Sequence, residues 1–107
     1  MAILALDIST SCTGYCILGT ELDSVTSLID LGFIPLAKHK SHFKKANVVL
    51  NDLRSIKDKY KITEIAIEEN LQSFRSGFSS AQTLSSLAKF NGIVAYLCED
   101  IFGLEPK

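Results

Sequence analysis

Residues 5–15 read ALDISTSCTGY. Small apolar side chains run up to one carboxylate, Asp7, and a hydroxyl-rich turn follows before Gly14 and Tyr15. The stretch 2–8, AILALDI, has the short, continuous apolar character of a strand buried on both faces. STSCT has the composition of a turn, and GYCILGT, 14–20, reads as a second strand. So short a link makes the two strands an antiparallel hairpin. A carboxylate at the end of a buried strand must be solvated, tied to the N–H groups of the turn, or matched with a cation. On pattern alone all three readings stand.

Outward from the hairpin, SLIDLGFIPL, 27–36, follows the polar turn ELDS and reads as a third strand, with Pro35 suited to an edge or an end. A basic stretch comes next, AKHKSHFKK. From about Ser41, a plausible N-cap, the period becomes helical. Phe43, Ala46, Leu50, Leu53, Ile56 and Tyr60 form the expected stripe, and the helix should end near Tyr60. KITEIAIEEN, 61–70, returns to strand character and ends on Glu68 and Glu69. A strand reached through a helical crossover is normally parallel to the one it joins.

LQSFRSGFSS, 71–80, has a loop's composition. A second helix is expected over roughly 80–101, with Ser79 and Gln82 as a capping box. Leu84, Leu87, Ala88, Val94, Cys98 and Ile101 make one stripe, and Phe90, Ile93 and Leu97 widen it beyond what one sheet face needs. Gly92 inside this helix costs about 1 kcal/mol against alanine, which a closely approaching neighbour would explain. The order βββαβα, an antiparallel hairpin joined to a helical crossover, implies an α/β layer fold.

Asp7 and Glu68 hold equivalent places. Each ends an apolar strand, and if the strands are parallel neighbours both emerge at one sheet edge, where sites in such sheets form. Two adjacent hard oxygen anions repel unless a cation lies between them, and Mg²⁺ (or Mn²⁺) is the natural cation for carboxylate and water ligands. Such ions could activate a water and hold a phosphodiester for in-line displacement. Glu69 is the alternate ligand, because adjacent strand residues face opposite ways. A solvated strand end is the plainer reading of either carboxylate.

Bulk properties bound these readings. A chain of 107 residues suits one domain, and 47% hydrophobic residues with positive mean hydropathy make it globular. Eleven basic and twelve acidic side chains leave a net charge of -1, without an overall cationic signal for nucleic acid. Cys12, Cys16 and Cys98 are an odd set without a second ligand pair for zinc. Asp7 interrupts the apolar start too early for a secretory leader. Reduced thiols in a cytosol-like compartment are expected: the cytoplasm of a bacterium or of a virus-infected host cell, with the mitochondrion as the other setting. No apolar run approaches the ~20 residues of a membrane span.

ILALDISTSCTGYCIL resembles the first hairpin of the RuvC-type Holliday junction resolvases, with its strand-ending Asp, Ser/Thr turn, Thr-Gly and aromatic residue. IAIEEN resembles the family's apolar-apolar-Glu motif, and LSSLAKFNGIVAYL is similar to the helix that follows it. The resemblance implies a ribonuclease H-like fold and a Mg²⁺-dependent, structure-selective DNA endonuclease acting on branched DNA such as a four-way junction. It carries over Asp7 and Glu68 as catalytic, metal-binding carboxylates. Thr13, of the Thr-Gly pair, and Arg75 are candidate DNA contacts. Leu71 falls where the family has a residue that probes the junction, and Phe74 and Phe78 lie on the same loop. An apolar wedge that unstacks a base step is offset by contacts to bent DNA.

The family places two further acidic residues on a helix after a fifth strand, and this chain is expected to lack that strand and helix. Residues 1–107 would then be one incomplete ribonuclease H-like domain, and the chain alone inactive. Lys38, Lys40, Lys44 and Lys45 cluster at the first helix and could neutralise phosphates. His39 and His42 lie too far from Asp7 and Glu68 in sequence to be assigned as a general base. A homodimer through Phe90, Ile93 and Leu97 is expected, because a second apolar stripe would otherwise stay exposed. Two other functions fit the residues. One is an actin- or sugar-kinase-like nucleotide-binding fragment, disfavoured because STSCT has no glycine to admit phosphate. The other is a non-catalytic, dimeric DNA-binding domain.

Overall fold

The hairpin strands β1 (Ala2–Asp7) and β2 (Cys12–Thr20) pair antiparallel, from Ala2 opposite Gly19 to Asp7 opposite Gly14. They belong to a computed structural model that describes residues 1–20, 26–68 and 81–107. β3 (Thr26–Pro35) follows, then α1 (His42–Lys59), β4 (Ile62–Glu68) and α2 (Ala81–Phe102). The four strands form one sheet in the order β3-β2-β1-β4, with β4 parallel to β1. The expected element order and the crossover are both present.

Both helices lie on the same face of the sheet. Leu4, Leu6, Ile17, Ile34 and Ile65 project toward them and meet Val49, Leu53 and Ile56 of α1 and Phe90, Val94, Cys98 and Ile101 of α2 in one buried cluster. Helix ends are closed locally. The Ser41 hydroxyl accepts the Phe43 N–H at 3.1 Å, and Lys57 and Lys59 occupy the last turn of α1, where cations favour the helix dipole. Gly103, at φ 67°, ends α2 with its N–H on the Glu99 carbonyl at 2.8 Å, a left-handed cap that glycine adopts without strain. The backbone of Lys107 then pairs with Ile65 and Ile67 on the outer edge of β4, and its ammonium meets Glu64 at 2.8 Å.

Packing corrects several expectations. β1 is sealed on one face only: Ala2, Leu4 and Leu6 are buried, while Ile3 and Ala5 are half-buried. The buried stripe of α1 runs through Val49, Leu53 and Ile56, and Phe43 is 77% exposed, because α2 shares the cover and rotates the inward face of α1. In α2, Phe90 joins Val94, Cys98 and Ile101 in the core, and Ala88 is exposed. No neighbour among the described residues explains Gly92, since a Cβ there would meet none of them within 4 Å. The proposed capping box falls on residues 79–82, outside the described side chains.

Candidate active site

β1, β3 and β4 point the same way, so their carboxyl ends meet at one edge of the sheet. At that edge Asp7 is the register partner of Glu68 on β4 and of Gly14 on β2, and Gly14 pairs in turn with Phe33 on β3. Register partners share a face, so Glu68, Asp7, Gly14 and Phe33 form one row across the sheet, on the face turned away from the helices. Asp7 and Glu68 are both exposed and both line a cavity of about 400 Å³. Glu69 lies outside the described residues.

The turn after Asp7 is held from within. The Ser9 hydroxyl accepts the Ser11 N–H at 3.3 Å and lies 3.2 Å from the Ser11 hydroxyl. Thr13, fully buried, donates its hydroxyl to the Ser9 carbonyl at 3.2 Å. This corrects its reading as a DNA contact: the side chain is committed to the turn and shapes the approach to Asp7. Leu36 donates its N–H to the Ser11 carbonyl at 2.9 Å, which fastens the end of β3 to the same turn. The basic stretch therefore begins at the edge that carries the carboxylates. Lys38, Lys40 and Lys44 are exposed there and Lys45 is half-buried. Only the antiparallel pairing of β3 with β2 fastens the start of this stretch to the turn after Asp7.

Leu71, Phe74, Arg75 and Phe78 lie outside the described residues. Of the proposed dimer contacts, Phe90 is corrected: it is fully buried and packs against the His42 ring at 5.7 Å between centroids. His42 also shares a hydrogen bond of 2.9 Å with the Ser86 hydroxyl, tying α1 to α2. Ile93 and Leu97 remain half-buried. On the helix-covered face, Tyr60 donates its hydroxyl to Asp30 at 3.0 Å, which raises its pKa above the ordinary phenol value. Burial, with Asp30 and Asp52 nearby, does the same to Tyr15.

Among the described residues no three His, Cys, Asp or Glu side chains converge. The donor set at the edge is Asp7 and Glu68, two hard oxygen ligands. Two such ligands do not make a closed cage for a cation. No helix among the described residues is long and apolar enough to cross a membrane.

No family model and no curated protein sequence matches the chain. Solved structures do. RuvC of Thermus thermophilus superposes with a TM-score of 0.74 at 10% identity over 100% of this chain and 63% of that one. The same protein in complex with a Holliday junction substrate gives 0.74 at 11% identity, covering 100% of this chain and 62% of that one. An exopolyphosphatase from Cytophaga hutchinsonii gives 0.59 at 10% identity, covering 100% of this chain and 33% of that one. The chain thus spans less than two thirds of the length of each of these structures. Likeness at this identity establishes architecture, and the architecture is a ribonuclease H-like mixed sheet in the order βββαβα.

Proposed function

We propose that this chain is a RuvC-like unit of a Mg²⁺-dependent, structure-selective DNA endonuclease that recognises branched DNA. The observation that carries the reading is the register of Asp7 with Glu68 at the carboxyl edge of two parallel strands. A metal ion bound there would neutralise a phosphodiester and activate a water. Asp7 and Glu68 would hold that ion through their carboxylates. The turn fixed by Thr13 keeps Asp7 at the rim, and Lys38, Lys40 and Lys44 would meet backbone phosphates on the turn side of the site. Two carboxylates leave most of the coordination sphere to water, so weak metal binding without cleavage is the behaviour we assign to residues 1–107 alone.

The test pairs two titrations. Mn²⁺ binding followed by water proton relaxation should be weak, and abolished in Asp7→Asn. Binding of a four-way junction should exceed binding of the linear duplex, with a steep loss of affinity in salt. Equal binding of Mn²⁺ by the wild type and Asp7→Asn would defeat the assignment.

The likeness to an exopolyphosphatase supports a second reading, phosphoanhydride chemistry at the same edge. The turn STSCT offers no glycine for close phosphate approach before Gly14. Titration with ATP and polyphosphate separates the two readings. A homodimer remains part of the proposal, on contacts that keep Ile93 and drop the buried Phe90: Ile93 and the exposed Tyr96 line an open groove with His42 and Phe43, and Gly92 leaves its floor bare.

A further inference from the structure

Charge is divided unevenly along this chain. Residues 38–61 hold eight of the eleven Lys and Arg side chains and two of the twelve Asp and Glu side chains. A chain close to neutral as a whole therefore contains one strongly cationic segment and an acidic remainder. Surfaces that serve only solubility intersperse the two signs. The two helices on the same face of the sheet differ in the same way: α1 has five basic and two acidic side chains, α2 one and two. α1 also opens against its own dipole. A helix N-terminus favours acidic side chains, yet the first turn of α1 has none and holds Lys44 and Lys45. Helix stability does not account for that choice, and a bound polyanion does.

The outer line of α1 says how that polyanion would lie. Val49, Leu53 and Ile56 fix the inward face. On the opposite side Lys44, Asn47, Asn51 and Arg54, at i, i+3, i+7 and i+10, are all exposed. Each ends in a hydrogen-bond donor, and none of the four side chains has a hydrogen-bond or ion-pair partner among the described residues. Asp58 closes the line. From Lys44 to Arg54 is about 15 Å, the axial length of four to five base pairs. The helix starts near the carboxylate edge, where Leu36 is fastened to the turn after Asp7, and runs to the end of the sheet where Ala2 lies beside Ile62. We infer that the outer face of α1 is a track for one duplex arm of branched DNA. Lys44, Asn47, Asn51 and Arg54 meet its phosphates and lead the arm away from the carboxylate edge. Asn between Lys and Arg at regular intervals suits the even phosphates of a duplex better than the scattered carboxylates of an acidic protein. Such contacts position the DNA without reading its sequence.

This inference rests on the DNA reading of the proposed function and is independent of any metal at Asp7 and Glu68. The experiment titrates the chain with a four-way junction at several salt concentrations, without divalent metal. Arg54→Gln should reduce the steepness of the log–log salt dependence by about 0.9, the share of one phosphate, and weaken binding severalfold. Asn51→Asp, isosteric and exposed, places a carboxylate against the phosphates and should weaken binding further, with an unchanged melting temperature. Lys107→Gln makes the same change of net charge on the outer edge of β4, away from the track, and should leave the salt dependence as it is. Equal salt dependence in Arg54→Gln, Asn51→Asp and Lys107→Gln would overturn the track and leave the DNA reading standing. A wild-type chain that binds neither junction nor linear duplex would overturn both. Arg54-dependent binding of a polyglutamate peptide by a chain indifferent to DNA would assign the face to an acidic protein and overturn both as well.

Discussion

The two faces of the sheet are built from alternate residues of the same four strands, and they have different fates. On one face Leu4, Ile17, Ile34 and Ile65 lie beneath two helices with almost no contact with water. On the other, Leu28, Leu31 and Phe33 are equally apolar and more than half exposed. Composition does not separate them; the cover does. The open face also carries the chemistry, because Asp7 and Glu68 fall on its parity and not on that of Leu6 and Ile67. The covered face supplies the stability that lets the open one hold two carboxylates and bare apolar surface.

The largest effect should come from breaking the covered face. Phe90→Ala removes a fully buried ring that contacts His42 and should cost about 3–5 kcal/mol in urea unfolding. A cost near that of a surface substitution would place Phe90 back in an interface between chains.

A pH titration of stability sharpens the same contrast. Burial pushes the Cys98 thiol from 9.0 up to about 12. The folded state holds that proton more tightly than the unfolded one. Its contribution is therefore complete below about pH 9 and is lost as pH rises toward 12, by about 1.4 kcal/mol per pH unit. The raised phenols of Tyr15 and Tyr60 act in the same direction. Urea midpoints measured from pH 8 to 10.5 should hold to about pH 9 and then fall in the wild type, and fall less steeply in Cys98→Ala. Cys12 is exposed, and should react with a thiol reagent in the folded chain long before Cys98 does.

Thr13→Val keeps the shape of a buried side chain but removes its bond to the Ser9 carbonyl. About 1 kcal/mol of stability should be lost, and Mn²⁺ affinity should drop, because the turn that holds Asp7 at the rim is loosened. An unchanged Mn²⁺ affinity would show that the turn does not position Asp7. The smallest effect is expected on the open face itself. Leu31→Ala should change stability by no more than about 0.5 kcal/mol. A loss of several kcal/mol would mean that this face is covered in solution.

Apolar runs and helical period made much of the fold legible. The short apolar runs that end on Asp7 and Glu68, the shift to helical spacing after Ser41 and the short STSCT link all act within a few residues, where backbone geometry dominates. The helix start at Ser41 followed from capping chemistry, and its end near Tyr60 from the last residue of the helical stripe, for the same reason. The choice of buried stripe did not follow. Phe43 and Phe90 were exchanged between surface and core because the inward face of each helix depends on the other helix as well as on the sheet.

The sequence by itself determined that two carboxylates end two apolar strands, that a helical crossover makes those strands parallel, and that the lysines begin just after β3. Tertiary structure alone decided that Asp7 and Glu68 are register partners, that Thr13 serves the turn, and that Phe33 stands in the carboxylate row. Each of these rests on strand register, and register is settled when the apolar parity of all four strands is packed against the helices at once. A shift of one residue in any strand would move its side chains to the opposite face, and no single segment carries that information alone.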